Sequence, residues 1–212
     1  MRQIPLDIAP SADPSFDNFI AGPNAEALAR VRALAEGELA ETVLYLWGAR
    51  GSGRTHLLRS AQKRDPQLVV VDDVDTLDAG QQHALFMAIN TARDDGPPVL
   101  AAGLRPPAQL SLREDVRTRL AWGLVYELRP LLDADKIRHL KAEAERRGMR
   151  LPDEVVNYLL ARLPRSLATL RAVLERLDRH SLAQQRLVTI PFVREWLAEE
   201  GEKTTPPDGP GQ

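Results

Sequence analysis

Gly48-Ala49-Arg50-Gly51-Ser52-Gly53-Arg54-Thr55 has the residue types and spacing of a phosphate-binding loop. Glycines let backbone N–H groups turn inward around phosphate oxygens. A helix starting directly after them adds the partial positive charge of its N-terminus. Thr55 is placed to ligate Mg²⁺. The pattern is that of a Walker A loop, with Arg54 where Lys is usual. Arg keeps the charge but is longer and planar, so it does not reproduce the compact contact of an ammonium. The alternative is an ordinary Gly-rich turn.

A second acidic signal follows. Leu68-Val69-Val70-Val71-Asp72-Asp73 reads as an apolar strand ending in two carboxylates, and Asp72 lies 17 residues after Thr55. At that distance Asp72 would hold Mg²⁺ through water, and Asp73 would polarise an attacking water. The plainer alternative is that the acids end a strand and cap the next helix. His56, His83, His139 and His180 show no metal-ligand spacing and read as surface or packing residues. Residues 138–150 lean basic but include Glu143 and Glu145, which suits a solvated helix face better than a DNA site.

These groups need a scaffold, and the chain alternates in a way that supplies one. Apolar runs at 43–47, 68–71, 99–102 and 124–128 read as strands. Helices are expected near 24–36, 54–63 and 79–93, so the strands should form a parallel sheet covered on both faces. After Pro130 only helical periodicity remains. Ile137, Leu140 and Ala144 mark one helix closed by Gly148, and Pro152-Asp153-Glu154 opens a second. Leu167, Leu170, Val173, Leu174 and Leu177 mark a third, and Thr189 can cap a fourth carrying Phe192, Val193 and Trp196. The expected organisation is an arm at 1–15, an α/β nucleotide-binding core at 16–130, a helical lid at 131–200 and a disordered tail at 201–212.

Composition narrows the function classes. With Lys+Arg 28 against Asp+Glu 30, the chain lacks the basic excess of a dedicated nucleic-acid binder. It has no cysteine, which excludes disulfides, thiolate metal sites and a cysteine nucleophile. No signal peptide and no membrane-length apolar run is visible, so a cytoplasmic protein is expected.

Phe16-Asp17-Asn18-Phe19-Ile20-Ala21-Gly22, the two phosphate-loop segments, Arg105-Pro106-Pro107, the run Arg117-Thr118-Arg119-Leu120-Ala121-Trp122-Gly123 and the four-helix end together resemble the AAA+ domain of DnaA. The match to the Hda family of DnaA-related regulators looks closer and covers about residues 2–198. Arg at the Walker A Lys position also occurs in that family. No helix-turn-helix DNA-binding domain follows the expected lid. A typical AAA+ core places another strand and helix between its Walker A and Walker B segments. The 17-residue gap leaves no room for them, so a trimmed sheet missing an edge strand is expected.

The resemblance implies an ADP-bound (or ATP-bound) protein using Mg²⁺. Its nucleotide-binding set is Phe16, Asn18, Phe19, Gly48, Gly51, Ser52, Gly53, Arg54, Thr55, His56 and Arg165. The segment from Phe16 to Gly22 would line the adenine side, and Arg165 matches a sensor 2 arginine. Thr55 and Asp72 would serve the metal. Arg119 matches an arginine finger that acts in trans, and Asp73 is a second candidate catalytic group. Leu104 stands where the family usually has a polar residue, often Asp, that orients water or the γ-phosphate. With Arg54, this argues against significant intrinsic ATPase activity.

Gln3-Ile4-Pro5-Leu6-Asp7-Ile8 resembles the peptide by which bacterial proteins dock on the DNA polymerase III sliding clamp (beta subunit). Gln3 would hydrogen-bond at one end while Ile4, Leu6 and Ile8 fill an apolar groove. The alternative is an arm packed on its own domain. The implied function is regulatory inactivation of DnaA: a clamp-docked inhibitor of replication initiation that stimulates hydrolysis of DnaA-bound ATP. Homo-oligomer formation fits the family. A self-contained weak AAA+ ATPase and a helicase-loader-like adaptor are the competing readings.

Overall fold

The structure, a computed structural model, describes residues 13–163 and 167–203. These fall into two compact units, Pro14–Leu131 and a helical unit from Leu132 onward.

The first unit is built on four parallel strands: β1 (Val43–Trp47), β2 (Val69–Val71), β3 (Val99–Gly103) and β4 (Leu124–Glu127). Their order is β2-β3-β1-β4, so β1 is central. The register sets Tyr45 beside Ala101 on one side and Val125 on the other. Side chains alternate across a strand, and β1 serves two cores by this rule. Leu44 and Leu46 join Leu100 and Ala102 in a layer with Val31 of α1 (Ala25–Ala35) and Leu57 of α2 (Arg54–Arg64). Val43 and Tyr45 face the other way. They pack with Ile89 of α3 (Ala79–Arg93) and with Val116 and Leu120 of α4 (Glu114–Trp122). Leu44, Leu46, Leu100 and Ile89 have no solvent exposure. Each such side chain contributes about 1.5–3 kcal/mol by burial.

Capping explains the helix boundaries. Asp78 accepts from Gln81 N and Gln81 accepts from Asp78 N, a capping box that starts α3. Strand β2 is the shortest, and its residues are half-buried, as suits a sheet edge. Between α2 and β2 lie only residues 65–68, with no further helix or strand.

Two differences from the expected elements matter. The pattern between the third and fourth strands suggested no helix, yet α4 lies there and carries Arg119. Asn24, expected in the first helix, ends a 3-10 turn (Gly22–Asn24) instead. Its buried amide donates to Arg129 O at 2.9 Å and accepts from Arg129 N at 2.8 Å, pinning the chain just beyond β4.

The second unit comprises α5 (Asp133–Arg146), α6 (Asp153–Arg162), α7 (Leu167–Gln184) and α8 (Ile190–Lys203). Gly148 takes φ +71, a left-handed geometry that ends α5 without a Cβ clash. Thr189 Oγ1 accepts from Phe192 N at 3.4 Å at the start of α8. The last helix runs through Lys203, so three residues expected in the tail are helical. Leu140, Val156, Leu159, Leu174, Phe192 and Trp196 form the core of this unit. Glu143 is buried beside it and accepts from Arg147 Nε at 2.9 Å and Nη2 at 2.8 Å; Arg146 also pairs with it. Burial alone would raise the Glu143 carboxyl. The hydrogen bond from Arg147 and the charges of Arg146, Arg147 and Arg171 outweigh it and hold the carboxyl below its ordinary range.

Candidate nucleotide site and arginine surface

In a parallel sheet the C-terminal strand ends face one edge, where ligands bind. Trp47 and Gly103 pair at that edge, and Gly48 N continues the ladder to Gly103 O at 3.2 Å. The chain then leaves the sheet as the Gly-rich loop. A side chain at Gly48 would put its Cβ 2.2 Å from Leu128 O, so only glycine fits. Ser52 N donates to Ala49 O at 3.1 Å, closing a tight turn. Gly53 has φ +102, and a Cβ there would lie 2.7 Å from Phe19 Cε2.

Gly53 is the N-cap of α2 and offers no side-chain acceptor to the first turn. The helix start therefore presents free N–H groups and positive partial charge to the loop. Two further groups point the same way chemically: Ser52 Oγ and Arg54 Nη1 are buried with no hydrogen-bond partner among the described residues. Buried donors left unsatisfied are costly. An anion with several acceptor oxygens would satisfy all of them together. The residues of the loop therefore fit a phosphate group.

Arg54 is buried, and its Nη2 lies 3.3 Å from Asp73 Oδ1. Asp73 follows β2 in the left-handed region at φ +45. Thr55 Oγ1 donates to Asp72 Oδ2 at 2.6 Å, and Asp72 Oδ1 accepts from Asp73 N at 2.8 Å. One hydroxyl and one carboxylate thus meet from two elements, a hard-oxygen pair suited to Mg²⁺ that keeps waters and phosphate oxygens as its other ligands. Among the described residues no cluster of three His, Cys, Asp or Glu could hold a metal by itself.

Of the expected adenine-side residues, Phe19 reaches the loop. Its ring stands over Gly53 and lies 5.4 Å from the ring of His56, whose Nε2 is 3.0 Å from Ser15 O. Phe16 instead lies under the Arg32 guanidinium at 5.4 Å. Asn18 Oδ1 accepts from Ser15 N at 3.0 Å, closing a capping box around the Phe16–Asn18 turn.

At the end of β3, the Leu104 N–H donates to Asp75 Oδ2 at 2.5 Å. Asp75, which the sequence reading does not single out, thereby ties the turn after β2 to the end of β3. Beside it, the Tyr45 hydroxyl donates to Arg105 O at 2.7 Å. Burial, aided by the Asp75 charge, pushes the Tyr45 phenol well above its ordinary value, so it remains a donor.

Arg119 lies on α4, away from the Gly-rich loop in sequence and held by α3. Its Nε donates to Asn90 Oδ1 at 2.6 Å, and its guanidinium carbon is 4.0 Å from the Phe86 ring centroid. Trp122, 55% exposed, has the Arg119 guanidinium 5.0 Å and the Arg93 guanidinium 4.8 Å from its ring. Neither arginine makes an ion pair among the described residues. Arg165, Gln3, Ile4, Leu6 and Ile8 lie outside the described residues. No helix among the described residues is long and apolar enough to cross a membrane.

Comparison with known proteins gives two results. Residues 133–197 match the family described as the Hda lid domain. The fold is similar to domain III of the Thermotoga maritima replication initiation protein DnaA, with TM-score 0.69 and 23% identity, covering 92% of this chain and 98% of that one. It is also similar to AMPPCP-bound DnaA from Aquifex aeolicus, with TM-score 0.64 and 20% identity over 81% of this chain and 66% of that one. The Thermotoga maritima RuvB Holliday junction branch migration motor gives TM-score 0.58 and 19% identity, covering 88% and 72%. The fold is thus the one these proteins share, a parallel-sheet α/β core and a helical unit, the latter matching the lid-domain family.

Proposed function

We propose that this chain, an Hda-like protein related to DnaA, regulates replication initiation by stimulating hydrolysis of ATP held by DnaA. The observation that carries the reading is the conjunction of an Hda-type lid at 133–197 with Arg119, which is half-buried and whose two terminal nitrogens make no hydrogen bond among the described residues. In this reading the chain's own nucleotide is structural and its partner's nucleotide is the substrate.

The Gly-rich loop, Ser52 Oγ and Arg54 bind the phosphates of ADP, and Thr55 with Asp72 holds Mg²⁺. Mg²⁺ supplies charge neutralisation of the phosphate oxygens when bound. Asp73, paired with Arg54, is a poor orienter of attacking water, and Leu104 offers no polar side chain. Binding without efficient turnover follows from these residues. Arg119 places its guanidinium against the charge that develops on the γ-phosphoryl group of DnaA-bound ATP. The arm, through Gln3, Ile4, Leu6 and Ile8, docks on the sliding clamp.

The test is a single-turnover measurement of radiolabelled ATP preloaded on DnaA, with and without this protein and DNA-loaded clamp. Stimulation that requires this protein and clamp, and disappears in Arg119→Ala with an unchanged melting temperature, is the expected result. Hydrolysis of free ATP by this chain at a comparable rate, without stimulation of DnaA, refutes it.

A further inference from the structure

Asp75 belongs to the 3-10 turn Val74–Thr76 after β2, yet its side chain is bound to the neighbouring strand. Its Oδ2 accepts from Leu104 N at 2.5 Å, just past the end of β3. The contact needs a bare backbone at Gly103, where a Cβ would lie 2.7 Å from Asp75 Oδ2 and closer still to the Tyr45 hydroxyl oxygen. That hydroxyl donates to Arg105 O at 2.7 Å, so the strand end that receives Asp75 is itself held. From Asp75 the turn runs back toward the Gly-rich loop through further hydrogen bonds. Thr76 N donates to Asp73 O at 2.9 Å, and Thr76 Oγ1 donates to the same oxygen at 2.8 Å. Asp73 is thereby kept in the left-handed region at φ +45, where a non-glycine residue persists only when its surroundings hold it. In that conformation Asp73 N donates to Asp72 Oδ1 at 2.8 Å, and Asp72 Oδ2 accepts from Thr55 Oγ1 at 2.6 Å.

We infer that Asp75 is a positioning residue for the carboxylate of Asp72: by anchoring the turn on β3, it sets the direction in which Asp72 meets Mg²⁺ beside Thr55. This rests on the reading of Thr55 and Asp72 as the Mg²⁺ pair of a bound nucleotide. Groups that orient a metal ligand from behind govern affinity nearly as the ligand does, and losing one costs about 10- to 100-fold. The three acids of this turn then have separate tasks. Asp72 faces the metal, Asp73 pairs with Arg54, and Asp75 anchors the turn that carries them.

The experiment titrates the full chain with ADP by calorimetry, in EDTA and at a series of Mg²⁺ concentrations, for wild type, Asp75→Ala, Asp75→Asn, Thr76→Val and Asp72→Ala. Mg²⁺ should tighten ADP binding to wild type and leave Asp72→Ala unaffected. Asp75→Ala should raise the Mg²⁺ concentration for half of that gain about 10-fold. Its ADP affinity in EDTA should stay at the wild-type value, because the Gly-rich loop is untouched. Asp75→Asn keeps an acceptor oxygen for Leu104 N and should recover most of the Mg²⁺ response. Thr76→Val removes one bond to Asp73 O at an exposed position, and should shift the Mg²⁺ requirement the same way at the wild-type melting temperature. A wild-type Mg²⁺ requirement in Asp75→Ala overturns the positioning role, as does Asp75→Asn no better than Asp75→Ala. So does an equal loss of ADP affinity with and without Mg²⁺, which a merely structural residue would give. If Asp75→Ala fails to fold, Thr76→Val decides, and an unshifted Mg²⁺ requirement there overturns the role. Mg²⁺ with no effect on wild type, or with the same effect on Asp72→Ala, overturns the assignment of the metal pair instead.

Discussion

Arg54 Nη2 stands 3.3 Å from Asp73 Oδ1, so the cation in the Walker A lysine position is paired with the second acid of the Asp72-Asp73 run. The pair links α2 to the turn after β2, and it competes with phosphate for the same guanidinium. Asp73 is 53% exposed, which limits the pair to about 0–1 kcal/mol. Asp73→Asn should therefore leave the fold intact and tighten ADP binding by up to about 5-fold. Arg54→Ala should weaken it. Calorimetric titration with ADP and Mg²⁺ measures both, and a thermal shift gives an independent reading, because a ligand that binds only the folded state stabilises it. Weaker binding in Asp73→Asn would refute the competition.

Gly53→Ala is expected to disable the loop. The residue sits at φ +102, and a Cβ would lie 2.7 Å from the Phe19 ring. The backbone strain alone is of order 1–3 kcal/mol. Phe19→Ala in the same chain removes the clash but not the strain, so it should restore part of the lost melting temperature. Equal melting of Gly53→Ala and wild type would contradict the described geometry.

The sequence exposes those parts of the fold whose signal is local. Val43–Trp47 and Val99–Gly103 are continuous apolar runs because both faces of these strands are covered. The Gly-rich loop is visible because backbone geometry demands glycine at fixed spacing. Helix α4 was not apparent: only Val116 and Leu120 of its residues are buried, and four charged residues and Thr118 fill the rest of its first two turns. Asn90 and Asp75 were invisible for a different reason. Each acts through a contact 29 residues away in sequence, Asn90 with Arg119 and Asp75 with Leu104. No periodicity reports such a pairing; it exists only once the strands have ordered the helices around them.

The lid should lose stability on acidification in two stages. His139 Nε2 is buried with no hydrogen-bond partner among the described residues, and burial lowers its pKa below 6.5, with the Arg171 charge adding to the effect. The unfolded chain therefore binds this proton more readily, and stability falls as pH drops below about 6.5. Glu143 also has a lowered pKa, so its contribution is present above its unfolded value of 4.5 and is lost as pH falls through the folded value. Glu143→Gln should cost about 1–3 kcal/mol at pH 7 by weakening the arginine contacts, and should flatten the lower stage. Chemical denaturation followed by circular dichroism between pH 3 and 8 resolves the two stages. A Glu143→Gln protein with the wild-type acid profile would remove Glu143 as the cause.

Clamp docking should depend on the arm alone. Gln3, Ile4, Leu6 and Ile8 precede the first described residue. Pro5 fixes one φ and lowers the entropy lost when an extended peptide is captured. Burying an aliphatic side chain in a groove contributes about 1.5–3 kcal/mol, or roughly 10- to 100-fold in affinity for each of Leu6 and Ile8. Leu6→Ala with Ile8→Ala should thus abolish clamp binding at micromolar concentration, and Gln3→Ala should weaken it. Both variants should keep the wild-type melting temperature and ADP binding, and a peptide of residues 1–10 should compete with the full chain in surface-plasmon measurements on immobilised clamp. Wild-type clamp affinity in the double variant would locate the docking surface elsewhere on the protein. A fall in melting temperature together with lost binding would show instead that the arm packs on its own domain.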